Sequence, residues 1–486
     1  MFVCVSWYAM AYQNTDGNTK DSDEESASRF LKRRRFLHAT GAVAGVAALA
    51  GCGQTQDEST ETETSTATPT ESPTATPEQE TGPSLQEKYP GLEILSPEPE
   101  NAQAAQRETY THFITPREEH YIRNHYPSPQ IDEQEWTISL TGLVDSEVDL
   151  SMEEIKHSFS TESVTHTMQC SGNGRAYFEP QVGGNQWSFG AVGNTVWTGT
   201  PVSAILEQYG GNTSEGNFLS VMGGDAPEGE DIFCRSIPMQ KVLDDTLLAY
   251  EMNGAPMSAE HGFPVRLLVP GWYGNNNVKW VNRMHVMDKM VIGDEWEDGD
   301  QRLYTHWQQY SYRVIPEEDD GAEQYEDIPV YDTREQMNRT DEIRNAYMYD
   351  QMAKSLIGYP GAGQTVTPNP AGQIEVLGVA WAGDDRVDTV EVSTDGGDTF
   401  GEAEFFGPAA GPNSWRQFRY VWDASPGEYT LVSRATDEQG RSQPSTISAP
   451  EEQLRGIEND KFPWNKGGYA NTAYMPHAVD CTVEEG

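Results

Sequence analysis

The chain has 486 residues and 77 Asp+Glu against 32 Lys+Arg, a formal net charge of −45. That excludes a protein that binds nucleic acid by neutralising its phosphates. Hydrophobic residues make up 36%, with 12 Trp, 22 Tyr and 15 Phe, enough for true cores in two or three domains and too many for a wholly disordered chain.

After Cys52 no apolar run reaches the roughly 18 residues of a spanning helix, which excludes a multi-span helical membrane protein. Of the 32 basic residues 22 are Arg and 10 Lys. Acid excess with scarce lysine marks a halophilic protein, working at molar salt where the Debye length is about 3 Å.

Residues 1–28 are an unassigned acidic extension. Within 29–52, Arg33, Arg34 and Arg35 precede a short stretch rich in Gly and Ala, from Phe36 to Ala50. A basic edge on an apolar segment too short to span marks an export signal, and the arginine cluster resembles a twin-arginine signal. Leu49-Ala50-Gly51-Cys52 resembles a lipobox, with Cys52 as the lipidated residue. Residues 53–88 are dominated by Thr, Ser, Glu and Pro and read as a disordered tether. These segments predict an exported, extracytoplasmic protein held at the outer face of the cell membrane by lipid on Cys52, with no other membrane contact.

Residues 89–315 mix short strand patterns (WTISLTGLV, FPVRLLVPG, VKWVNRMHVMDK) with helical ones such as PVSAILEQYG, an α+β pattern. Four clusters within them could carry chemistry. The first is Tyr121-Ile122-Arg123-Asn124-His125-Tyr126-Pro127, and the second is Thr167-Met168-Gln169-Cys170-Ser171-Gly172-Asn173-Gly174-Arg175. A cysteine among small, turn-forming residues sits where a thiolate can meet a ligand, and Arg175 is expected to lower its pKa. On spacing alone a buried, inert thiol is the favoured reading of Cys170.

The third cluster, His261-Gly262-Phe263-Pro264-Val265-Arg266 followed by Val278-Lys279-Trp280, can gather cationic donors around an anion. The fourth is Trp307-Gln308-Gln309-Tyr310-Ser311-Tyr312. Residues 316–365 form an acidic linker or insertion. From 366 to 486 alternating strands with DGG, SPGE and DEQG turns predict a small antiparallel sandwich. Cys234 and Cys481 read as core thiols. With no C-x-x-C spacing, neither a zinc site nor attached haem is signalled.

Taken together, the four clusters resemble the sulfite oxidase family of molybdenum-cofactor enzymes. The likeness continues through GGNQWSFGAVGNTVWTGTPVSAIL, LLAYEMNGAPM, EVSTDGGDTF and WNKGGYAN, and the HGFPVR…VPG…VKW block is its most diagnostic part. It implies an α+β molybdopterin-binding (sulfite oxidase catalytic) domain at 89–315. An all-β immunoglobulin-like sandwich follows at 366–486, serving dimerisation, so a symmetric homodimer is the default.

The implied cofactor is molybdenum–molybdopterin, with Cys170 as its thiolate ligand. Arg123, His125, Asp225, His261, Arg266 and Lys279 match positions that hold the pterin and its phosphate. Arg123, Arg175 and Trp187 match positions lining the substrate pocket, and Tyr312 the active-site tyrosine. The implied activity is oxidation of sulfite to sulfate, with electrons passed to an external cytochrome or copper protein and no haem or flavin in the chain.

Three departures accompany the likeness. The loop reads GNGR where animal enzymes have GNRR, NTAYMPHAV lacks an arginine that contacts sulfite in them, and no His-Pro-Gly-Gly haem signal occurs. Reduction of nitrate or a sulfoxide is therefore a same-family alternative. A non-catalytic surface binding protein is the alternative of a different class.

Overall fold

The computed structural model describes residues 83–178, 181–291, 308, 312–314, 346–445 and 467–485. The expected acidic extension, signal, lipobox, residues 53–82 of the tether and residues 316–345 of the linker lie outside them. Folded structure begins inside the expected tether. Leu85–Lys88 is a short helix with a Ser84–Glu87 capping box, tied down by Lys88 Nζ on the Glu260 carboxylate at 2.7 Å.

Leu92–Pro97 (β1), Glu100–Ala104 (β2) and Ile122–Arg123 (β3) form a three-stranded antiparallel sheet. A second sheet, in the order β5-β4-β13-β8-β9, comprises Thr137–Gly142 (β4), Val148–Ser151 (β5), Phe218–Gly223 (β8), Cys234–Pro238 (β9) and Val281–Met287 (β13). A third runs β11-β10-β7-β6, with β12 also on β10. Its members are Glu162–Gln169 (β6), Val192–Pro201 (β7), Leu247–Met252 (β10), Ala255–Pro256 (β11) and Arg266–Leu268 (β12).

Three short helices complete this lobe. Met152–His157 starts at a Ser151–Glu154 capping box. Val202–Tyr209 ends at Gly210, whose φ of 67° and neighbour Asp145, with a carboxylate oxygen 2.3 Å from where a Cβ would lie, exclude any other residue. Met239–Asp245 is the third. Their apolar sides (Ile155, Ile205, Leu206, Val242) join Ile138, Leu140, Leu248, Leu267 and Val286 in one fully buried core. The lobe is α+β as expected, with a parallel pair, β13 on β4, in the second sheet.

A ribbon of Arg313–Val314 (β14) and Ala346–Tyr347 (β15) leads to the C-terminal lobe. One sheet there runs β16-β18-β22-β21, from Lys354–Tyr359 (β16), Gln373–Trp381 (β18), Glu404–Phe406 (β21) and Arg416–Asp423 (β22). The other runs β17-β24-β23-β19-β20, from Gln364–Val366 (β17), Val387–Ser393 (β19), Gly401–Glu402 (β20), Gly427–Asp437 (β23) and Val479–Val483 (β24). Both sheets bury apolar faces in a shared core (Val376, Val390, Phe418, Leu431, Val479).

Two expectations change here. The linker ends well before 365, because Lys354–Tyr359 is a sandwich strand paired to β18. The sandwich is not purely antiparallel, because β17 pairs β24 in parallel. Cys234 and Cys481 are buried thiols outside any disulfide among the described residues, in separate apolar clusters.

The two lobes are sewn together beside β6. Trp381 Nε1 donates to Gln169 Oε1 at 3.0 Å, and the Trp415 backbone N–H donates to Thr167 Oγ1 at 2.7 Å. Tyr110, Val192, Leu356, Trp381 and Trp415 form a common core at the seam. The end of β6, where the cysteine loop begins, is therefore held from both sides.

Candidate active site

A cavity of about 390 Å³ opens where β3, the end of β6 and the loops around β12 meet, and all ten predicted site residues line it. Cys170 follows directly on β6. Its own N–H donates to Ala191 O at 2.9 Å, and the chain then turns back, with Asn173 N–H on Cys170 O at 2.9 Å. Gly174, at φ 97°, makes that turn possible, and a Cβ there would stand 2.9 Å from Asn471 Nδ2. The arginine of the animal loop has no room at this position.

The thiol is 8% exposed, packed in a cluster with Tyr121, Met168 and Trp187. Burial pushes its pKa up, against the pull of Arg123, the Gly172 N–H and Arg175. The expectation that Arg175 would leave a lowered pKa is thus corrected: burial wins, and Arg123 pulls harder than Arg175.

Arg175 is 6% exposed and wrapped by glycines. A Cβ on Gly172, Gly184 or Gly468 would lie 2.8–3.0 Å from its side-chain atoms. Its Nε donates to Gly467 O at 2.7 Å and its Nη1 to Asn185 O at 3.1 Å, while its guanidinium lies over the Tyr469 ring, 4.7 Å from the centroid. No described carboxylate pairs with it, and Nη2 has no protein acceptor among the described residues. Trp187 is 1% exposed and forms wall beneath the thiol.

Arg266, Lys279 and Arg123 are likewise unpaired with any carboxylate among the described residues. Arg266 donates to His261 O at 2.9 Å and Asn277 O at 3.2 Å and lies over the Trp197 ring. Lys279 Nζ donates to Glu260 O at 2.8 Å and to Asn124 Oδ1. Of the two acids lining the cavity, Glu260 is already taken by Lys88 and Tyr89, and Asp225 is pushed toward its neutral form by burial. The cavity gathers Arg123, Arg175, Arg266 and Lys279 inside a protein of charge −45.

The titratable groups register this field. Burial, then Lys279 and Arg266, push His261 down to about 3. Burial, then Arg123 and Arg235, push His125 down to about 4. Lys279 is driven well below its usual value by burial, then by Arg266. An anion in the cavity would relieve all three. His261 lines the cavity; its Nδ1 lies 2.9 Å from Ser258 Oγ, its Nε2 3.2 Å from His120 O, and its carbonyl accepts from Arg266.

Several buried polar atoms on the lining find no partner among the described residues: Arg266 Nε, Asp225 Oδ1, both side-chain polar atoms of Asn275, and His120 Nε2. Orphaned polar atoms concentrated on one cavity call for a polar occupant. A pterin with its phosphate fits, since it offers donors, acceptors and negative charge, and a soft metal suits the thiol beside it.

Comparison with known proteins agrees. Residues 125–294 match the oxidoreductase molybdopterin binding domain, and residues 345–465 match the Mo-co oxidoreductase dimerisation domain. Chicken sulfite oxidase is 30% identical over 385 residues, covering 76% of this chain and 76% of the chicken protein. The chain belongs to the sulfite oxidase family.

Rat mitochondrial sulfite oxidase is 31% identical over 390 residues, 76% of this chain, and the match spans 64% of the rat protein's length. Among solved structures, the sulfane dehydrogenase SoxCD of Paracoccus pantotrophus superposes with a TM-score of 0.57 at 26% identity, covering 80% of this chain and 88% of that one. In this member of the sulfite oxidase family the cavity is also lined by residues that the sequence did not single out. Asn275 and Asn277 follow β12, between the Arg266 and Lys279 that the sequence singled out. Tyr469 and Gly467 lie in the expected sandwich domain, beyond the matched dimerisation segment, yet line the cavity. The WNKGGYAN motif was the available signal for them.

Proposed function

We propose that the protein oxidises sulfite to sulfate at a molybdenum–molybdopterin centre ligated by Cys170, and passes the electrons to an external acceptor. The observation that carries this reading is a thiol and four basic side chains without carboxylate partners among the described residues, Arg123, Arg175, Arg266 and Lys279, on one cavity. The balance is SO₃²⁻ + H₂O → SO₄²⁻ + 2H⁺ + 2e⁻. Bound molybdenum would supply the oxygen-atom transfer and take up the electron pair.

The chain's residues do the rest. Arg266, Lys279, His125 and Asp225 hold the pterin and its phosphate, with His261 bracing Arg266. Cys170 gives up its proton on ligation, and the Gly172 N–H, Arg123 and Arg175 stabilise the thiolate. Arg175 Nη2, Arg123 and the Tyr312 hydroxyl orient the substrate anion, while Trp187 keeps water from the floor of the pocket. Electrons leave singly to a cytochrome or copper protein.

The two-sheet C-terminal lobe supports an immunoglobulin-like dimerisation module and a symmetric homodimer, which the hydrodynamic mass checks. The arginine cluster and Leu49-Ala50-Gly51-Cys52 support export and a lipid anchor. In the halophilic setting that the charge implies, Cys52→Ala should release the protein from the membrane fraction, and continued association rules the anchor out.

The deciding experiment is sulfite-dependent reduction of a one-electron dye, with molybdenum analysis, on cofactor-loaded protein in molar salt. Turnover with stoichiometric molybdenum is expected. Molybdenum without sulfite turnover would overturn the substrate and turn attention to nitrate and sulfoxides, and absence of molybdenum would overturn the whole reading.

A further inference from the structure

The stretch Gly467–Asn471 reaches from the C-terminal lobe to the catalytic cavity and is shaped with unusual effort. Gly468 and Ala470 both take left-handed backbone conformations, φ 66° and 58°. Ala470 is not glycine and is 2% exposed, so its conformation persists only because its surroundings impose it.

The contacts that impose it are on the cysteine loop. Ala470 N–H donates to Ser171 O at 2.8 Å, Asn471 Nδ2 donates to Gly174 O at 2.8 Å, and Arg175 Nε donates to Gly467 O at 2.7 Å. From strand β16 the fully buried Lys354 Nζ donates to Asn471 O at 2.8 Å. The residue at the centre of this arrangement is Tyr469. It lines the cavity, its ring centroid lies 4.6 Å from that of Tyr312, and Arg175 lies over its face.

We propose that Tyr469 is a further oxyanion donor of the substrate pocket, acting with Tyr312 and Arg175 to set how tightly the substrate anion is held. The inference rests on the sulfite reading above. Its chemistry is that of a neutral phenol. Burial, then the neighbouring Tyr312, raise its pKa far above working pH, so the hydroxyl keeps a proton to donate. The ring offers its face to Arg175, which fixes the guanidinium while two of its nitrogens bind carbonyls, and leaves Nη2 toward the cavity. The phenol thus contributes one donor itself and steadies a second.

The test uses the full-length, cofactor-loaded protein and three variants, with sulfate affinity by calorimetry as a readout independent of turnover. Tyr469→Phe keeps the ring over Arg175 and removes only the hydroxyl. It should raise KM for sulfite and Kd for sulfate about tenfold, the scale of one hydrogen bond to an anion, with kcat falling much less than KM rises. Tyr469→Ala should weaken sulfate binding further, because Arg175 also loses its platform. Tyr312→Phe should raise KM and Kd in the same direction, since the two phenols act on the same anion.

Unchanged KM and Kd in Tyr469→Phe would overturn the inference while leaving the functional reading intact. Wild-type protein that binds sulfate but does not oxidise sulfite would overturn that reading alone, and the variants' sulfate affinities would still decide the inference. Wild-type protein that does neither overturns both. If Tyr469→Ala fails to fold, the near-isosteric Tyr469→Phe still decides the question.

Discussion

Cys170→Ser is expected to lower sulfite turnover by about 10³-fold or more, equivalent to at least roughly 4 kcal/mol of transition-state stabilisation, in a protein that still folds. The two side chains differ little in size, and the neighbours Tyr121, Met168 and Trp187 need not move. What changes is ionisation. The apolar wall pushes the thiol's pKa up, yet the Gly172 N–H, Arg123 and Arg175 stand ready to stabilise the anion once a metal displaces the proton. A serine hydroxyl in the same place starts several pKa units higher, and the same three donors cannot bring it to a stable alkoxide. It is also a hard donor where a soft one is wanted. Turnover, molybdenum content and circular dichroism measured together check the claim. A folded variant retaining a tenth of wild-type activity would remove the thiolate from the mechanism.

Much of the site could be read before folding, and the reasons are local. Cys170 with Gly172 and Gly174, or His261 through Lys279 with the Pro-Gly turn between, are short spans in which spacing already implies a loop and a cationic edge. β12 duly carries Arg266 into the cavity, bridged to Lys279. What could not be read depends on contacts between residues far apart in the chain. Asn471 meets Gly174 297 positions away, and Gly467 meets Arg175 292 away, so no window of sequence contains either pair.

The strand holding Lys354 was hidden for a different reason. Six residues of KSLIGY follow a long acidic stretch whose composition dominates any average, and only pairing with β18 reveals them as sandwich. At Cys170 the buried reading of the thiol outweighs the pull that the neighbouring arginine suggested, because the burial of the folded loop raises the pKa more than Arg123, the Gly172 N–H and Arg175 lower it. The partners of the His261 ring, Ser258 and the His120 carbonyl, have no motif of their own.

Arg175→Met should lower kcat/KM for sulfite by about 10²-fold, the roughly 2–3 kcal/mol of a buried hydrogen bond from a charged donor. The competing consideration is the global field, since a sulfite dianion must approach a chain of net charge −45. Two unit charges 4 Å apart at an effective dielectric near 20 interact by about 4 kcal/mol, whereas charges beyond the Debye length, about 10 Å at 0.1 M salt and about 3 Å at 1 M, hardly matter. Proximity therefore outweighs number. Arg419→Met changes the net charge by the same single unit on the exposed sandwich surface, where the arginine is 44% exposed. It should leave kcat/KM within about twofold.

Arg175→Lys should not restore activity. One ammonium cannot reach Gly467 O and Asn185 O in the guanidinium's plane, stack on Tyr469, and still present a donor to the cavity. Steady-state kinetics on the three variants in the same molar salt separate the two effects. Equal losses from Arg175→Met and Arg419→Met would mean that the field of the whole protein, and not this guanidinium, governs capture of the anion.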